Sequence, residues 1–94
     1  MQIRWLKTAI RSLDEAMAYI AQEDAEAARK ISDCIHMRVE TLLEHPEQGR
    51  PGRILGTREL VIGKYPFSVP YRIKNEEVQI LRIFHTSRKP PLKW

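Results

Sequence analysis

The spacing of hydrophobic and polar positions changes along the chain, and each change marks an element. Gln2 to Leu6 alternates, with Ile3 and Trp5 on one side and Gln2 and Arg4 on the other, which predicts a half-buried strand. From Thr8, a candidate N-cap, Ile10, Leu13, Met17 and Ile20 recur at helical spacing while Arg11, Asp14, Glu15 and Ala18 fall opposite, as in an amphipathic helix. A second helix is predicted from Asp24, again a capping residue, with Ala28, Ile31, Ile35, Val39 and Leu42 along one stripe and Pro46 as its stop. Only Gln22 to Asp24 separates the two, so they are expected to form an antiparallel hairpin with a shared apolar face.

After the second helix the chain changes character. His45 to Thr57 holds two prolines and three glycines and reads as a loop. Strands follow: Arg58 to Ile62 is rich in β-formers, and Phe67, Val69, Tyr71 and Ile73 alternate with Ser68, Pro70, Arg72 and Lys74. Val78 to Phe84 is apolar on both faces and is expected to be the central strand. The short link from Lys74 to Glu77 fits a hairpin turn. Pro70 is out of place in such a strand, because it cannot donate to a ladder and belongs at an edge or a bulge. Pro90 and Pro91 end the sheet and leave a basic tail. The expected fold is α+β: an N-terminal strand, then an antiparallel helical hairpin packed on a small antiparallel sheet.

Length and composition set bounds on this picture. Ninety-four residues, 43% hydrophobic and 30% charged, suit one domain spanning residues 1–94. No apolar run reaches the roughly 18 residues of a membrane span, and the charged start MQIRWLKTAIR is unlike a signal peptide. Cys34 is the single cysteine, so no internal disulfide is expected, and the cytoplasm is the expected compartment. Charge is divided unevenly. Residues 1–47 carry six Lys and Arg against nine Asp and Glu, while residues 48–94 carry ten against three. That surplus points to a polyanion or an acidic protein as partner.

The candidate chemistry lies near the end of the last strand. His85 and Arg88 follow it, where an imidazole could exchange a proton and a guanidinium could hold a phosphate. Arg72 and Arg82 interrupt apolar strands, and they must reach solvent or pair with Glu59, Glu76 or Glu77. With Arg58, Lys64, Arg88 and Lys89 they would extend one positive face. Neither a metal nor a cofactor is expected. His36, His45 and His85 lie far apart, Cys34 has no cysteine partner, and no glycine-rich phosphate loop occurs. A helix-turn-helix is disfavoured because the second helix carries Glu26, Asp33, Glu40 and Glu44 against Arg29, Lys30 and Arg38. Alternation sends Phe67 and Tyr71 to the core, which leaves Trp94 as the one aromatic free for contact.

The segment from Gly56 to Pro91, with Arg58-Glu59-Leu60 ahead of a tyrosine strand, Tyr71 beside Arg72, and His85 with Arg88, resembles the C-terminal half of the ParE and RelE superfamily of toxins. Tyr19, Ile20 and Ala21 before the second helix match as well, so the resemblance spans nearly the whole chain. It implies the toxin of a type II toxin–antitoxin module, restrained by a cognate antitoxin whose acidic or amphipathic segment wraps it. Two mechanisms follow from the resemblance: ParE toxins inhibit DNA gyrase by binding, and RelE toxins cut mRNA on the ribosome without a metal. The positions where RelE carries its catalytic lysines and first arginine fall at Glu59, Val61 and Ser68, none of them basic, and only the later arginine is kept, as Arg88. The balance favours a gyrase-directed binder contacting its target through Arg58, Lys64, Arg72, Arg82, Arg88, Lys89 and Trp94. The alternative is a ribosome-dependent mRNA endonuclease with His85 and Arg88 as catalytic residues.

Overall fold

In the computed structural model, which describes residues 1–89, 91, 93 and 94, a helical hairpin lies on one face of a mixed sheet. The elements run β1 (Gln2–Trp5), α1 (Lys7–Ala21), α2 (Ala25–Glu40), a 3-10 turn (Thr41–Leu43), β2 (Arg50–Pro51), β3 (Arg58–Ile62), β4 (Phe67–Lys74), β5 (Glu77–Ile80) and β6 (Phe84–His85). The sheet order is β1-β5-β4-β3-β2, with β6 also paired to β4. Strands β3 to β5 form the expected antiparallel meander; β2, a two-residue strand within the segment expected as a loop, extends it along β3, and β1 adds a parallel strand along β5. Pro90, expected to help end the sheet, lies outside the described residues.

The helices form largely as their patterns dictate. Asp24 caps α2 by accepting the Ala27 N–H at 3.0 Å, and Ala28, Ile31, Ile35 and Val39 are buried, followed by Leu42 on the 3-10 turn. They pack on Leu60, Ile62, Val69, Tyr71, Val78 and Ile80. In α1 two expectations are corrected. Thr8 is not the cap, because the Leu6 N–H donates to the Ile80 carbonyl at 3.1 Å and carries the chain straight from β1 into the helix. That start turns Ala9 and Leu13 into the core and leaves Ile10 48% exposed.

The run from Val78 to Phe84 is not one strand, and β4 is the central one. Tyr71 faces Ile80, a register that would place Ser68 opposite Ile83; Ser68 instead faces Phe84. One extra residue has entered between β5 and β6, which is a β-bulge. Pro70 lies opposite it. Its carbonyl accepts the Leu81 N–H at 2.9 Å, so its nitrogen also points to this side, where an N–H would have served the ladder that the bulge interrupts. The Ile83 N–H, left out of the ladder, donates to Ser12 Oγ of α1 at 2.8 Å.

Two polar systems fasten the rest. Tyr71, fully buried, donates from its hydroxyl to the Pro46 carbonyl at 2.7 Å and accepts the Gly49 N–H at 2.9 Å. Burial pushes the Tyr71 phenol above its ordinary pKa of 10.0, so it remains a neutral donor. Arg58 Nη1 donates to the carbonyls of Glu47 at 3.1 Å and Gly49 at 2.8 Å, so the loop after α2 is clamped to β3 and β4. On the sheet face away from the helices, Arg72 Nε donates to Gln79 Oε1 at 2.7 Å and Gln79 Nε2 donates to Glu77 Oε1 at 2.8 Å. Arg4 approaches the same carboxylate at 3.5 Å from β1. Donation from Gln79, opposed by desolvation and assisted by Arg4 and Gln2, holds the Glu77 carboxyl below its ordinary value.

Four outcomes are expected. A Cβ on Gly49 would stand 2.6 Å from the Tyr71 hydroxyl and 3.0 Å from the Glu59 carbonyl, so Gly49→Ala should cost about 1–3 kcal/mol in urea unfolding. Gly63→Ala, where the space is open, should be nearly neutral. The β4–β5 turn holds Asn75 at φ 54° and Glu76 at φ 58°, the conformation of a type I′ turn. Glu76→Gly should therefore stabilise by about 1 kcal/mol, read as a raised unfolding midpoint. Because Glu77 titrates lower in the folded than in the unfolded chain, its contribution is present above the ordinary carboxylate value of 4.5 and is lost as pH falls through the folded value. The unfolding midpoint should consequently fall more between about pH 6 and about pH 3 in the parent than in Glu77→Gln.

Candidate functional site

The bulge decides where the candidate residues point. Each one-residue shift in register exchanges the two faces of a strand. Without the extra residue Phe84 would face Phe67 on the helix side; with it, Phe84 turns to the far face with Ser68, and His85 pairs with Phe67. The His85 ring stands edge-on to Phe67 with centroids 5.2 Å apart.

His85 and Arg88 are brought together by a turn in which the Arg88 N–H donates to the His85 carbonyl at 3.0 Å. Inside it, the Ser87 backbone N–H donates to His85 Nδ1 at 3.2 Å, with Ser87 Oγ 2.7 Å from the same nitrogen. A backbone N–H can only donate, so Nδ1 is the acceptor and the neutral ring carries its proton on Nε2. Thr86 ties this turn to the one between β3 and β4: its N–H donates to the Pro66 carbonyl at 2.9 Å, and its hydroxyl reaches the same oxygen at 3.2 Å. Lys64 rides on that neighbouring turn, its ammonium 5.7 Å from the centre of the Tyr65 ring. Lys64, Arg88 and Lys89 are all exposed, and none is paired with a carboxylate among the described residues.

The other expected contact residues lie elsewhere. Arg58 is engaged by loop carbonyls and Arg72 by Gln79, on opposite faces of the sheet. Arg82 is half-buried within the bulge. Trp94 is not free: its ring meets Phe84 edge-on with centroids 5.3 Å apart, and its indole N–H is buried with no partner among the described residues. The expectation of one continuous positive face is therefore corrected, since these side chains were counted by sequence position and several already have partners within the protein.

Glu59 pairs with neither Arg72 nor Arg82. It is 1% exposed on the far face, where its carboxylate accepts the Arg53 N–H at 2.9 Å and lies 3.5 Å from Arg50 Nη2 and 3.7 Å from Arg53 Nε. Ser68 Oγ, fully buried, is 3.5 Å from the same carboxylate. Arg53 also stacks over Phe84, 5.4 Å from its ring centre. A buried carboxylate stripped of such partners costs several kcal/mol, so the loop cations are committed to it. Ser87, Arg50 and Arg53 were not singled out in the sequence. A serine two residues from a histidine is a local hydrogen-bonding signal, but nothing in the loop pattern distinguished its arginines. Among the described residues no three His, Cys, Asp or Glu side chains gather as metal ligands, and no helix is long and apolar enough to cross a membrane.

Comparison with known proteins agrees with this architecture. The family model of the ParE toxin of the type II toxin-antitoxin system parDE matches residues 3–90. "Putative toxin Y4kP" of Sinorhizobium fredii (strain NBRC 101917 / NGR234) is 44% identical over 90 residues, covering 96% of this chain and 93% of the relative. A solved chain of the chromosomal ParDE TA system from P. aeruginosa has a TM-score of 0.80 at 34% identity, covering 90% of this chain and 95% of that one. A chain of the toxin-antitoxin complex RelBE2 from Mycobacterium tuberculosis shares the fold, with a TM-score of 0.58 at 24% identity over 89% and 95% of the two chains. With a family model spanning residues 3–90 and relatives that match nearly the whole chain, the chain belongs to the ParE toxin family of type II toxin–antitoxin systems.

Proposed function

We propose that this toxin arrests growth by binding and inhibiting DNA gyrase, and that a cognate antitoxin neutralises it. One observation carries the choice of binding over cleavage. Where RNA-cleaving members of the superfamily are expected to place basic catalytic groups, this chain has Glu59, Val61 and Ser68, and Glu59 and Ser68 are sealed under Arg53. Cutting a phosphodiester requires activation of the nucleophile, charge stabilisation and protonation of the leaving oxygen by convergent groups. The described far face offers no such set.

The rival reading, a ribosome-dependent mRNA endonuclease, draws on the proximity of His85 and Arg88 in one turn. The acceptor role of Nδ1 leaves the neutral ring an N–H at Nε2, which can hydrogen-bond a phosphate but neither takes up a proton there nor gives one up readily, so this tautomer suits neither the acid nor the base of a cleavage reaction. A second group to activate the ribose hydroxyl is missing from that turn.

The antitoxin proposal is supported by the relatives, which include a chain of a ParDE system and a chain of a RelBE2 complex. It is also supported by the basic second half of the chain, which suits an acidic segment. A groove between α1 and α2, with Leu13, Met17, Ala21 and Ala28 in its lining and Asp14, Arg29 and Asp33 beside them, would suit the apolar side of an amphipathic one.

Incubating relaxed plasmid with gyrase, ATP and the purified chain should block supercoiling or accumulate cleaved DNA. Normal supercoiling at excess protein would sink the gyrase reading. New A-site ends on translated message, abolished in His85→Ala and Arg88→Ala, would establish the nuclease in its place.

A further inference from the structure

We propose that the two turns at residues 63–66 and 85–89 form a phosphodiester-binding site, in which Lys64, Arg88 and Lys89 supply charge and His85 supplies a fixed Nε2–H donor positioned by Ser87. The proposal concerns direct nucleic-acid contact and does not rest on gyrase being the target.

The groups at this end of the sheet are donors. Lysine and arginine have no acceptor, and the Ser87 N–H removes the acceptor option from the neutral His85 ring by occupying Nδ1. Nε2 has no protein partner among the described residues. A ligand for such a set must be an acceptor without protons of its own, which describes an ionised phosphodiester.

Scaffold and surroundings point the same way. The two turns are locked side by side by the bonds from Thr86 to Pro66 and by the Phe67–His85 pairing, so the cations are presented on a braced edge. Side-chain carboxylates of the basic half are engaged elsewhere or lie far along the sheet. Glu59 is buried against Arg50 and Arg53, while Glu76 and Glu77 lie beyond the other end of β4, roughly 23 Å off at about 3.3 Å per residue. Cations spread over two turns suit a ligand with repeated charges better than a single anion. The Tyr65 ring beside Lys64 adds an aromatic edge of the kind that accompanies single-stranded contacts.

The test is fluorescence anisotropy of the purified chain with labelled single-stranded DNA and RNA of about twelve nucleotides, over a salt series. Three cations on a single strand should give a slope of log affinity on log salt near about −2. Lys64→Ala and Arg88→Ala should each weaken binding roughly fivefold and flatten the slope by about 0.7. His85→Gln, which keeps an N–H donor near the Nε2 position, should bind nearly as the parent does, whereas His85→Ala should bind more weakly. Ser87→Ala keeps the backbone N–H on Nδ1 and should leave the Nε2–H tautomer in place, whereas Ser87→Pro, which removes that N–H, should shift the ring toward mixed tautomers in 15N NMR and lower affinity. Tighter binding of DNA or of RNA names the source, and either supports the site. Absence of binding to both, unchanged affinity in folded Lys64→Ala and Arg88→Ala, or equal binding of polyglutamate would overturn it, the last in favour of an acidic protein. The supercoiling assay reads gyrase inhibition separately, so each reading can fail without the other.

Discussion

Pro70 has no N–H to give, yet it stands in the middle of the central strand, and the C-terminal third of the molecule is arranged around that missing donor. Opposite it the neighbouring strand takes in one extra residue, and the pairing resumes one position out of step. The N–H left over at Ile83 is satisfied by Ser12, so the helical layer, rather than the sheet, completes the hydrogen bonding. The shift also exchanges the two faces of β6, sending Phe84 to the far side and His85 to Phe67. The position of the histidine is thus a consequence of a backbone property fifteen residues earlier.

A second constraint governs the charge. The basic half of the chain carries ten cations, but several are occupied in holding the fold. Arg50 and Arg53 face the buried Glu59, Arg58 holds loop carbonyls, and Arg72 leads into the amide and carboxylate relay that crosses to β1. A charge satisfied in this way contributes less to long-range attraction than its formal count suggests. What remains at the end of the sheet is a smaller group on two adjoining turns. The fold itself is shared with chains of the ParDE system and of the RelBE2 complex, so what the fold leaves open is which side chains stay unengaged.

Part of the motif that carries the resemblance is structural. In the run from Arg58 to Leu60, the arginine clamps the loop, the glutamate gathers its arginines and the leucine fills the core. Tyr71 closes the same loop from the next strand, with Gly49 accepting its close approach. Residues engaged in this way hold the fold, and for that reason they say little about a target.

By itself the sequence determined what depends on neighbours a few positions apart. Apolar periodicity marked α2 and its stripe, Asp24 declared its cap, alternation marked β1 and β4, β-forming residues marked β3, and a two-residue link marked the β4–β5 hairpin. These are local because helix and strand repeats, caps and tight turns are set within a handful of residues. Pro70 even announced an irregularity, though not its form. Only the tertiary structure decided the parallel pairing of β1 with β5, the division of the last apolar run by the bulge, the face on which His85 emerges, and the partners of the arginines. Each of these depends on groups tens of residues apart competing for the same donors and acceptors, and linear spacing does not record that competition.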